Sequence, residues 1–294
     1  MGNRSAKQQP NKQITMAIDS LSKCWEDNYK NKPGYHVSKI VTKPVKLKED
    51  GNVRIVCISD THSLVENNQP PFDIPDGDIL IHAGDFTNQG NLDKVMEFNS
   101  WLGSLPHRHK VVIAGNHDLT FDYTKIQRPE LQKAKSLLTN CIYLEDSDIT
   151  IEGLKMYGTP RTPLFGHHLV GFMISRSDTQ AWEELCSKIP SDTDILVTHG
   201  PPLGILDANT RGEVCGSEEL LRHVVERVKP KYHIFGHIHE SYGVVTNGST
   251  VFANAATCNI GFPMMATNPP HVFDISPGVK FEMSREVNLS ILRF

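Results

Sequence analysis

The sequence predicts a layered α/β domain built on mixed β-sheet. Three observations carry that expectation: short apolar runs rich in β-branched residues recur from residue 53 onward, longer amphipathic segments alternate with them, and each short run ends in a polar cluster. The runs 53–59, 79–82, 110–114, 195–198 and 233–235 have the length and branching of buried strands. Between them, residues 92–105 set Val95, Phe98 and Leu102 at helical spacing, and 130–138, 178–189 and 217–228 read as further helices. Ser217 is the expected cap of the last, although Leu220 three residues on prevents a full capping box. Segments 149–158 and 242–256 read as hairpins, the second turning at Asn247-Gly248.

Composition narrows the class. A chain of 294 residues with 38% hydrophobic and 22% charged residues can bury a sizeable core, which excludes collagen-like, wholly disordered and disulfide-scaffold proteins. The net charge of −4 gives no basis for binding a nucleic-acid polymer through its phosphates. No apolar stretch is long enough for a transmembrane helix and the N-terminus has no apolar signal core, so no membrane association and a cytoplasmic location are expected. The six cysteines are scattered without a C-x-x-C pair, as suits reduced, mostly buried thiols. Residues 1–52 form a polar, basic extension, with ten Lys/Arg against five Asp/Glu, expected to be partly disordered. Residues 53–294 form the main domain.

Open α/β sheets place their ligands at the carboxyl ends of strands, so the polar clusters there are where chemistry is sought. In order they read Asp60-Thr61-His62, Gly84-Asp85, Gly115-Asn116-His117-Asp118, Thr198-His199-Gly200 and Gly236-His237-Ile238-His239. Each taken singly suits an ordinary turn, cap or loop histidine. Metal-capable side chains at five strand ends out of five point instead to a metal site.

On these residues the chain resembles the calcineurin-like metallophosphoesterases, whose D-x-H, GD, GNH[DE], lone His and G-H-x-H pattern it matches from Asp60 to His239. Longer runs around Val56–Ser63, Lys110–His117, Thr198–Gly204 and Phe235–Glu240 are similar to the metallophosphoesterase-domain-containing proteins of animals, a class III cyclic-nucleotide-phosphodiesterase-like group. The resemblance implies a four-layer αββα sandwich, two mixed sheets flanked by helices, with a binuclear metal site at the strand C-terminal ends. It implies one metal held by Asp60, His62, Asp85 and His239, and a second by Asp85, Asn116, His199 and His237. Asp85 bridges, because a carboxylate can share its lone pairs between two cations whereas an imidazole offers one nitrogen to one ion. Mn²⁺ is the metal the resemblance favours, with Fe²⁺ or Zn²⁺ compatible with the same donors.

The implied reaction is hydrolysis of a small phosphodiester by a bridging metal-bound hydroxide, with cyclic nucleotides as the first substrate class. Two divalent cations against two carboxylates and a hydroxide leave about one positive charge, which calls for an anionic substrate. The resemblance gives His117 the role of steadying the phosphate and protonating the leaving alkoxide, with Asp118 orienting that imidazole or capping a helix. The resemblance also makes Asn116 an expected substrate contact.

Protein Ser/Thr phosphatases extend the second motif as GD-x-x-D-R-G, but Gly84 to Gly90 has neither that Asp nor that Arg, which argues against phosphoprotein substrates. Some near relatives carry Gly in place of the first His of the last motif, whereas His237 is kept here. Their Trp-Thr-Pro-Trp type stretch reads Arg161-Thr162-Pro163-Leu164-Phe165, and Arg161, like His167 and His168 nearby, is read either as a phosphate contact or as a solvated surface side chain. The rival expectation is a scaffold on the same fold that binds a nucleotide or a protein with little activity. Such scaffolds lose metal ligands, and all seven are present.

Overall fold

In a computed structural model of the protein, the residues described are 23, 26–30, 32, 34–39, 48, 50–65, 72–164, 170–259, 265–278 and 289–290. The strands are β1 (Ser38–Lys39), β2 (Val53–Ile58), β3 (Ile79–His82), β4 (His109–Val112), β5 (Ile142–Tyr143), β6 (Ser147–Ile151), β7 (Leu154–Thr159), β8 (Thr162–Pro163) and β9 (Met173–Ile174). They continue as β10 (Ile195–Thr198), β11 (Tyr232–Phe235), β12 (Gly243–Thr246), β13 (Val251–Asn254), β14 (His271–Ile275) and β15 (Leu289–Ser290). The helices are α1 (Leu92–Ser104), α2 (Arg128–Leu137), α3 (Thr179–Ser187) and α4 (Glu218–Arg222).

Two large mixed sheets result. One has the order β15-β14-β2-β3-β4-β5, the other β1-β12-β13-β11-β10-β7-β6. Strands β2, β3 and β4 are mutually parallel, as are β7, β10, β11 and β13, so the functional clusters of each sheet leave at a common end. A parallel bridge between Ser59 and Ala256 joins the sheets beside that end.

The alternation of side chains along each strand builds the layers. On β2, Ile55 and Cys57 face the other sheet and pack with Met156, Val197 and Ile234, while Val56 and Ile58 face outward onto Val95, Phe98 and Trp101 of α1 and Ala134 of α2. On the second sheet, Leu196 and Phe235 face outward onto Trp182 of α3 and Leu221 of α4. Helix, sheet, sheet and helix are thus separated by three apolar cores, the four-layer sandwich expected.

The anticipated strands and hairpins form within a residue or two of their expected limits. Ser217 caps α4 by accepting the Leu220 N–H at 3.2 Å. The expected single helix over 217–228 is instead α4 followed by a π-helical stretch, His223–Val228, which closes on Lys229 at φ 50°. Strand β14 was not anticipated; it pairs antiparallel with β2, more than two hundred residues away in sequence. Part of the basic head belongs to the folded body: β1 adds an edge strand to β12, and buried Tyr35 donates its hydroxyl to Glu226 at 2.6 Å. Residues 1–12 lie outside those described, as do Phe165, His167 and His168. No helix among the described residues is long and apolar enough to cross a membrane.

Candidate metal centre

All seven expected ligands sit just past the ends of β2, β3, β4, β10 and β11, and four of them occupy left-handed backbone: Asp60 (φ 56°), His62 (44°), Asp85 (55°) and His237 (69°). That conformation is uncommon for residues with a Cβ and is held where the surroundings impose it. Here backbone hydrogen bonds impose it. Asp60 N–H donates to Gly84 O (2.9 Å) and His62 N–H to Asp85 O (3.0 Å), lashing the first two loops together. Gly115 and Gly236 have no side chain because a Cβ would fall on the carboxylate oxygens of Asp85 and Asp60 respectively.

The donors converge in two groups. In the first, His239 Nε2 lies 3.1 Å from Asp60 Oδ1 and 3.2 Å from His62 Nε2. His239 donates its Nδ1–H to the Asn259 carbonyl (3.4 Å), which leaves the Nε2 lone pair turned toward those two atoms. In the second, His199 donates Nδ1–H to the Ala83 carbonyl (2.8 Å) and turns Nε2 toward Asp85 Oδ2 (3.2 Å) and Asn116 Oδ1 (3.0 Å). His237 completes this group, its ring 5.2 Å from that of His199, and its Nε2 is buried without a hydrogen-bond partner. Electron-rich atoms facing one another at these distances repel unless a cation or a proton lies between them. The groups meet at Asp85, whose Oδ2 is also 3.8 Å from His62 Nε2.

The protonation equilibria follow from this packing. Burial raises the cost of charging Asp60 and Asp85, but His239 beside Asp60 and His199 beside Asp85 outweigh it, so both carboxyls are held well below the usual range. Burial works against a charged His199, and Asp85 overturns that, lifting it to about 9. His62 and His237 are pushed down to about 4 and about 3, chiefly by burial. Without a cation, a proton on His199 stands in for one. The residues therefore fit divalent metal ions: imidazoles, ionised carboxylates and an amide oxygen converge, with His237 Nε2 and His62 Nδ1 both buried without a hydrogen-bond partner.

His117 borders the same space, one ring nitrogen lying within 4.8 Å of donor atoms of His62 and Asp85. Its Nδ1–H is held by the Asn88 carbonyl at 2.9 Å. The anticipated contact from Asp118 is not made. The Asp118 carboxylate accepts instead from Gly115 N–H (2.8 Å), Phe86 N–H (3.3 Å), Thr87 N–H (2.8 Å) and Thr87 Oγ1–H (2.7 Å). Nor does it cap the short 3-10 turn Leu119–Phe121 that follows. Asp118 clamps the turn carrying Asp85 to the turn carrying Asn116, because four donors converge on it and no acceptor for His117 remains. The Arg161 guanidinium hydrogen-bonds to Asp146, with Nη2 at 3.2 Å and Nε at 3.3 Å from Oδ2. The carbonyls of Ala83, Asn88 and Asn259, which fix the three imidazoles, were beyond sequence reasoning, since a backbone oxygen leaves no trace in residue type.

Fold and site together define a phosphoesterase of the calcineurin-like type, and the family model described as calcineurin-like phosphoesterase matches residues 53–241. The chain belongs to this family of metallophosphoesterases. It is 45% identical over 246 residues to metallophosphoesterase domain-containing protein 1 of Homo sapiens, covering 78% of this chain and 72% of that one. It is also 45% identical to the UPF0046 protein C25E10.12 of Caenorhabditis elegans, covering 79% and 85%. A solved crystal structure with 14% identity superposes at a TM-score of 0.53 over 76% of this chain and 95% of the other, a likeness of fold.

Proposed function

We propose that the protein hydrolyses small phosphodiesters, cyclic nucleotides among them, at a pair of divalent cations. The observation that carries this reading is the shared oxygen: Asp85 Oδ2 stands 3.8 Å from His62 Nε2 and 3.2 Å from His199 Nε2, so two donor groups join at one carboxylate. Asp60, His62, Asp85 and His239 would hold one ion, and Asp85, Asn116, His199 and His237 the other. The mixed nitrogen and oxygen donors, without thiolate, suit Mn²⁺, and Fe²⁺ and Zn²⁺ also match them. Bound there, two cations supply positive charge for a phosphoryl group and acidify water at neutral pH.

The chain's own residues supply the rest. The Asn88 carbonyl fixes His117 with Nδ1 protonated, so Nε2 is the atom that takes up and releases a proton. A proton delivered from His117 Nε2 to the departing alkoxide spares it from leaving as an unstabilised anion. Asp118, by clamping the Asp85 and Asn116 turns, keeps these groups in register for one phosphoryl group. Asn88 and Gln89 stand where phosphoprotein phosphatases carry Asp and Arg, which favours a small ester over a phosphoprotein.

The test is hydrolysis of bis(p-nitrophenyl) phosphate with Mn²⁺ before and after chelation, followed by a panel of 3′,5′- and 2′,3′-cyclic nucleotides, mononucleotides and monoesters. Chelator-sensitive turnover is expected, and Asn116→Ala or His237→Ala should lower kcat by about 100-fold while leaving the melting temperature of the metal-free protein nearly unchanged. Turnover indifferent to chelation would refute the reading.

A further inference from the structure

The contacts of Arg161 are with Asp146 and two aromatic rings. Asp146, which also accepts the Thr159 hydroxyl proton at 2.6 Å, pins the guanidinium through Nη2 and Nε. So fixed, its Cζ lies over two aromatic rings, 5.3 Å from the centroid of Phe172 and 5.9 Å from that of Tyr123. Phe172 is buried at 1% exposure, but Tyr123 is 60% exposed, the most exposed of the large hydrophobic side chains described. A cation braces one face of the tyrosine ring, and much of the ring is left to solvent.

This ring is tied to the candidate site through three short links. Gly171 N–H donates to the Asn116 carbonyl at 2.8 Å, and Phe172 N–H donates to the buried Asp122 carboxylate, next to Tyr123, at 2.7 Å. Thr162 N–H, beside Arg161, donates to the Phe172 carbonyl at 3.0 Å. Tyr123, Arg161 and Asn116 therefore share one frame, and Asn116 turns its amide oxygen to His199.

We propose that Tyr123, braced by Arg161 and Asp146, is a stacking shelf for a planar aromatic ring on the ester group of the substrate, a nucleobase being the ring that fits a phosphodiester. The inference rests on the phosphodiesterase reading above and deepens it. A preordered ring loses little conformational freedom when a base stacks on it, and the contact accepts any flat π-system. It selects esters bearing a heteroaromatic ring over aliphatic ones without touching the reacting phosphorus. Arg161 is then a positioning residue rather than a phosphate ligand.

The experiment is calorimetric binding of AMP and of ribose 5-phosphate to the Mn²⁺-loaded protein, two ligands that differ by the base alone. Wild type should bind AMP about tenfold more tightly than ribose 5-phosphate. Tyr123→Ala should bring that ratio close to one without weakening ribose 5-phosphate, Tyr123→Phe should keep it, and Arg161→Gln should reduce it in part. A ratio near one in wild type, or one that survives Tyr123→Ala, overturns the shelf and leaves the phosphate site standing. If neither ligand binds, the phosphoester reading fails and the shelf falls with it.

Discussion

His199 shows how much one residue's surroundings decide. With Nδ1–H committed to the Ala83 carbonyl, its Nε2 faces the Asp85 and Asn116 oxygens, and the carboxylate overcomes the cost of burial and lifts its pKa to about 9. A metal ion needs that nitrogen bare, so binding expels a proton at any pH below about 9. Affinity for Mn²⁺ should therefore rise with pH, by up to about tenfold per unit, and level off above about 9. The stability of the metal-free protein should move the opposite way through this group. A folded-state pKa raised above the ordinary 6.5 contributes stability that is full below pH 6.5 and is lost as pH climbs through about 9. Calorimetry in buffers of different ionisation enthalpy counts the released proton; a pH-independent affinity would remove His199 from the ligand set.

At the scale of elements, the site is a meeting of strand-end turns, and its precision comes from contacts between turns rather than within them. Gly236, between β11 and His237, approaches Asp60 past β2 so closely that an added Cβ would occupy the place of the carboxylate oxygen and of Ser59 Oγ. Gly236→Ala should cost about 1–3 kcal/mol of stability, as overpacking does. It should also weaken metal binding, because Asp60 must yield and Asp60 sets the position of His239. Chemical denaturation paired with Mn²⁺ titration separates the two effects; unchanged metal affinity would show that Asp60 can move without consequence. The strands themselves were legible from β-branched runs such as Val53–Ile58, whose alternation sorts Ile55 inward and Val56 outward. The π-helical turn after α4 and the β14–β2 pairing were not, since the first depends on packing around the helix end and the second on a partner remote in the chain.

For the whole molecule, the donor groups matter because neither belongs to one sheet. Asp60, His62, Asp85 and Asn116 come from the sheet containing β2, β3 and β4, whereas His199, His237 and His239 come from the sheet containing β10 and β11. An ion bound there would staple the two halves of the sandwich, and binding to the folded state alone would stabilise it by about 2.7 kcal/mol at a hundredfold excess over Kd. Thermal unfolding should accordingly shift upward by roughly 4 °C per bound ion on Mn²⁺ addition, reverse on chelation, and shift far less in an Asn116→Ala/His237→Ala double variant. An equal shift in that variant would place the stabilising ions elsewhere.

The sequence by itself determined the layered α/β class, the five strand ends and the seven side chains gathered there, because periodicity and residue type are local properties. Only the tertiary structure decided that Asp118 clamps two turns instead of orienting His117, that Asn88 holds that imidazole through its carbonyl, and that Arg161 braces Tyr123. Those assignments turn on which donor meets which acceptor, or which charge lies over which ring, and both are fixed by distance in three dimensions rather than by order along the chain.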